Sequence, residues 1–100
     1  MGRVVRVFPE YGRDWPLWER VDSPAGYVTT PDTYGLSDDL TGAIAAWNDY
    51  WERHFAHDTG WDHPDHRDQW RRDGDRVVAS LRTELWGIAT VRYEPWPLGD

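Results

Sequence analysis

Between Ser37 and Leu85 the chain carries two apolar stripes at helical spacing, broken once, and this pattern constrains the fold more than any other feature. Leu40, Ile44, Trp47, Trp51 and Phe55 recur at steps of four and three, which places them on one face of a helix. Ser37 is a suitable N-cap, and Asp38 and Asp39 fall in the first turn, where the helix dipole favours anions. Gly60 is expected to end this segment, and Pro64 suits the first turn of a second helix capped by Asp62 or His63. There the stripe is Trp70, Gly74, Val77, Val78, Leu81 and Leu85, stopped by Gly87. A glycine inside a helix costs about 1 kcal/mol relative to alanine, so Gly74 on the stripe predicts a close approach by the neighbouring helix. Two such helices with a short connector form an antiparallel hairpin.

Strand patterns flank the hairpin. RVVRVF (3–8) is short and β-branched, and IATVRYE (88–94) alternates before Pro95 and Pro97 end order. Residues 9–36 are crowded with turn formers, and only GYVTT (26–30) could add a strand. Strand, helix, helix, strand gives an antiparallel outer pair; a real strand at 26–30 would make that pair parallel. The expectation is one α+β domain, residues 1–100. It has two layers, with a sheet of two or three strands on the hairpin, in the order β-(β)-α-α-β.

Composition then removes functions. Cysteine and lysine are absent and all eleven basic residues are Arg, which excludes thiolate zinc sites, cysteine nucleophiles, Schiff-base chemistry and the P-loop lysine. Of the three serines, Ser37 reads as a cap, Ser80 lies within a helix and Ser23 precedes Pro24, none in a nucleophile elbow. No catalytic residue and no cofactor are therefore assigned. Arg67, Arg71, Arg72 and Arg76 are interleaved with Asp68, Asp73 and Asp75, a salt-bridged face with Asp68 and Arg72 at i, i+4. With a net charge of −7, this argues against direct nucleic-acid binding. No apolar run approaches 18 residues and MGRVVRVFPEYG lacks a signal-peptide core, so no membrane contact and a cytoplasmic location are expected.

All four histidines lie in HFAHDTGWDHPDH (54–66) as two H-x-x-H pairs, His54/His57 and His63/His66. Helix-end electrostatics account for His54 and His57 in a last turn and for Asp62 and Asp65 in a first turn. The competing arrangement is a four-nitrogen site for zinc or nickel. The turn is expected to be dispensable for folding and to bind divalent metal weakly.

PLWE (16–19), YGLSDDL (34–40), the W…YWE…F run (47–55), GW (60–61) and Trp70, Gly74, Leu81, Glu84 and Leu85 together resemble a class of small actinobacterial proteins. The resemblance spans about residues 16–93 and rests on core aromatics, turn glycines and caps. It implies the fold and carries no catalytic residues.

Eight tryptophans in 100 residues supply large buried area and argue against disorder, and the regular elements need their aromatics for the core. YGRDWPLWER (11–20) places Tyr11, Trp15, Leu17 and Trp18 in a stretch with little regular pattern. They either fold back as core or form a contact patch rimmed by Glu19 and Arg20. Trp15, Leu17, Trp18, Glu19 and Arg20 are the partner-binding expectation, with Trp18 the anchor. The reading is a small acidic, non-catalytic protein-interaction module with a protein partner. It would neutralise or regulate that partner as an immunity protein, inhibitor or phage accessory factor does, and a basic partner is favoured by steering. The alternatives are a metal-binding protein or metalloenzyme using the histidine turn, and a subunit of a larger assembly.

Overall fold

β-Branched residues at alternate positions build the inner face of a sheet in the computed structural model, which describes residues 3–10, 13–20, 23 and 26–94. Strand β1 (Arg3–Val7) pairs in parallel with β6 (Ala89–Tyr93), setting Val5 opposite Val91. On its other edge β1 pairs antiparallel with β2 (Leu17–Trp18), which pairs with β3 (Val28–Thr29), giving the order β3-β2-β1-β6. Opposed residues share a face. Val5, Val7, Leu17 and Val91 therefore point into the core, while Arg6, Trp18 and Val28 lie on the opposite face.

The second layer is α2 (Asp38–His54) and α3 (Pro64–Glu84). Ser37 caps α2 by accepting from Leu40 N, and Leu40, Ile44, Trp47 and Trp51 are buried as the stripe predicts. Trp70, Gly74, Val77, Val78 and Leu81 are buried along α3, with Leu85 at its C-cap. The helices meet through stacked Trp47 and Trp70, centroids 4.6 Å apart, and Trp47 Nε1 donates to the Trp70 carbonyl at 2.8 Å. Gly74 is required by aromatic side chains on two elements. A Cβ there would stand 2.2 Å from Tyr93 Oη on β6 and 2.9 Å from Trp47 Nε1.

Three expectations change. The sheet has four strands, not two or three, because β2 and β3 are two residues each, too short for a period. The first helix ends at His54, well before Gly60: Phe55 is extended (φ −120°, ψ 128°) and opens a ribbon of β4 (Phe55–Ala56) and β5 (Gly60–Trp61). Phe55 and Trp61 face each other across that ribbon with ring centroids 5.5 Å apart, a cross-strand aromatic pair that favours it. The outer strands are parallel, as a strand within 26–30 requires, but two extra strands precede the helices. Alternation through both would return an antiparallel pair; counting the one-turn helix α1 (Pro31–Tyr34) restores the observed parity. Pro95 and Pro97 lie outside the described residues. Among the described residues no helix is long and apolar enough to cross a membrane.

Candidate partner-binding surface

The segment expected to carry the anchor is largely built into the fold. Trp18 is 3% exposed: it stacks on Phe8 at 4.8 Å, donates from Nε1 to the Phe8 carbonyl at 2.8 Å, and lies beneath Arg13 and beside Tyr27. Leu17 is core, and Trp15 is half-buried against it. Asn48 Nδ2 on α2 donates to the carbonyls of Arg13 and Asp14, tying this stretch to the helix. Of the five residues, Arg20 alone is fully on the surface, and Tyr11 lies outside the described residues. An exposed Trp18 anchor is thus corrected: strand register places it in an aromatic cluster on the outer face of the sheet.

Glu19, 2% exposed, has a structural task. It accepts from Arg3 Nε and Nη2, from Ser23 Oγ and from the Tyr34 hydroxyl, joining β1, β2 and α1. Burial alone would raise its carboxyl, but hydrogen bonds from Arg3, Ser23 and Tyr34 outweigh that and hold it below the usual range. Burial, then the bond to Glu19, raises the Tyr34 phenol, which stays neutral.

Among the described residues, one candidate surface is the outer face of the helix pair; Val4, Tyr27 and Val28 are exposed elsewhere, on β1 and at β3. Small residues Ala43, Ala46 and Ser80 leave a groove of about 560 Å³ between α2 and α3, floored by Leu40, Trp47 and Val77. Trp47 cannot rise to fill it, because its stack and hydrogen bond with Trp70 hold the indole down. The charged rim is Asp39, Asp73 and Glu84 against Arg76. At one end Glu84 accepts from Ser37 N and Oγ, and these bonds lower its carboxyl. At the other lies Tyr50, against the rings of His54 and His66.

Two residues beyond Glu84, Trp86 is 88% exposed and Ile88 47%. Leu85, the α3 C-cap, takes the last core position, and its carbonyl accepts from Ile88 N and Ala89 N around Gly87 at φ 80°. That turn leaves no core position for Trp86. Sequence reasoning passed over it, although a signal exists: Trp86 follows Leu85 directly and so falls off the stripe at 81 and 85.

The histidines divide. His54 Nδ1 and His66 Nδ1 each lie 2.8 Å from one carboxylate oxygen of Asp62, and their rings are 4.0 Å apart. These bonds, His54 first, lower the Asp62 carboxyl to about 2. His63 is the α3 N-cap, accepting at Nδ1 from Asp65 N, which an uncharged imidazole can do without opposing the helix dipole. His57 sits between β4 and β5, not in a helical turn. The four-nitrogen arrangement is not formed. On α3, Arg76 pairs with Asp73, Arg67 with Asp68, and Arg72 donates to Gln69.

A comparison with curated proteins found no match. The family model described as Serratia CdiI immunity protein-like matches residues 3–95, spanning every element from β1 to β6, and the chain belongs to that family.

Proposed function

We propose that this chain is a small, non-catalytic immunity protein that binds a toxin protein and holds it inactive. Membership of an immunity-protein-like family across residues 3–95 carries the reading. Two features of the surface support it: an apolar-floored groove between the helices, and a nearly fully exposed tryptophan two residues along the chain from Glu84 on its rim. Three carboxylates against one guanidinium on the rim, and −7 overall, favour a basic partner segment and fast, salt-sensitive association. A nuclease or another protein that handles nucleic acid has that character.

A cell that makes a toxin must also make its antidote, so the two genes are expected side by side. The test is co-expression with the product of the adjacent gene. Growth arrest by that product, relieved by this chain through a one-to-one complex, is the expected result. An adjacent product that arrests growth regardless of this chain, or that has no effect and forms no complex, overturns the reading.

A further inference from the structure

Beyond partner binding, we infer that His54, Asp62 and His66 form a binding site for a divalent transition-metal ion that clips the end of α2 to the start of α3. Nothing in the proposed function requires this, and it stands on different residues. One ligand atom from each of the three lies within 4.8 Å of the others. A tetrahedral zinc ion with bonds of about 2.0–2.1 Å separates its ligand atoms by roughly 3.3 Å. The observed 2.8 Å contacts of both imidazoles with Asp62 and the 4.8 Å limit on the set bracket that spacing.

Two imidazoles and one carboxylate are a borderline donor set, suited to zinc, cobalt or nickel and poor for calcium or magnesium. With three protein ligands, the ion keeps an open position for water. An aspartate carboxylate is ionised at neutral pH, so Asp62 supplies an anionic oxygen to the ion. Where a histidine ligates through Nδ1, it exchanges its contact with Asp62 for a metal bond: a neutral ring then carries its proton on Nε2, and a protonated ring releases one proton to solvent.

Local fields neither forbid nor supply the site. The C-terminus of α2 favours a cation at His54, the N-terminus of α3 disfavours one at His66, and the two roughly cancel. Tyr50 packs on both imidazoles, at 4.5 and 6.0 Å between centroids, and limits their rotation. His63 is occupied as a helix cap and His57 lies in the ribbon turn, so neither belongs to the proposed site.

The experiment uses the full chain and two probes, zinc and cobalt, at pH 7.5. Calorimetry should give one zinc ion per chain, and cobalt should develop a visible absorption spectrum of low-symmetry coordination. Zinc at a hundredfold excess over its Kd should raise the melting midpoint by roughly 10 °C or more, since a ligand that binds only the folded state stabilises it. His54→Gln, His66→Gln and Asp62→Asn should each lose at least tenfold in affinity and the cobalt spectrum. His57→Gln should lose neither, and far-UV spectra verify that each variant is folded. Absence of stoichiometric binding overturns the inference. So does binding that survives His54→Gln and His66→Gln, or that depends equally on His57.

Discussion

Trp18 and Trp86 look alike in sequence, each beside a charged or turn-forming neighbour and off any long apolar period, yet one is 3% exposed and the other 88%. Trp18 is held by cross-strand pairing with Arg6 and Val28 and by its stack on Phe8. Trp86 is expelled by a tight turn whose core position is already taken by Leu85. The difference teaches that burial outside helices follows register and turn closure, which a two-residue strand does not announce. It also takes the proposed contact surface from segment 11–20 to the helix-pair face.

The comparison can be broken first at Trp18. Trp18→Ala should destabilise by about 3–5 kcal/mol, the cost of truncating a buried aromatic, read from the denaturant midpoint. Should the midpoint hold, Trp18 is a surface residue after all.

A smaller effect tests the polar side of the same strand. Glu19→Gln should cost about 2–3 kcal/mol, because Arg3, Ser23 and Tyr34 lose a charged acceptor. The pH dependence follows from the sign. The folded-state carboxyl is lowered, so its stabilising contribution is complete above the ordinary carboxylate range and is lost as pH falls through and below that range. Melting midpoints of the wild type should therefore drop more steeply on acidification than those of Glu19→Gln. Parallel curves would remove Glu19 from the account.

Much of the helical layer was legible beforehand. The stripes at 40–51 and 70–85, the Ser37 cap and the turn at Gly87 are local signals repeated over several turns, and the structure keeps them. What stayed hidden depends on partners far along the chain. Phe55 leaves the helix because of Trp61, Glu19 is buried because of Arg3 and Tyr34, and the Asp62 trio needs the ribbon to bring α2 and α3 together. The groove was hidden differently, since Ala43, Ala46 and Ser80 mark space by what they lack.

Gly74→Ala tests the close approach at the helix–sheet junction. Improved helix propensity offsets part of the clash with Tyr93, leaving a net cost of roughly 1–2 kcal/mol. Tyr93→Phe removes a buried hydroxyl with no hydrogen-bond partner among the described residues and should itself be near neutral. Combined with Gly74→Ala, it should recover part of the loss, because the closest contact disappears. A strictly additive double variant, by thermal or denaturant unfolding, would contradict this packing.

Trp86→Ala carries the smallest stability effect, within about 0.5 kcal/mol, because its side chain is almost wholly in solvent. That makes it the cleanest probe of the central claim, that the partner docks on the helix-pair groove and on the exposed Trp86 that follows its Glu84. The measurement is the affinity of wild type and Trp86→Ala for the adjacent-gene toxin by calorimetry, at equal melting midpoints. A contact tryptophan contributes about 2 kcal/mol or more, so Kd should rise roughly thirtyfold or further. An unchanged Kd for Trp86→Ala would contradict the placement of the toxin on this face.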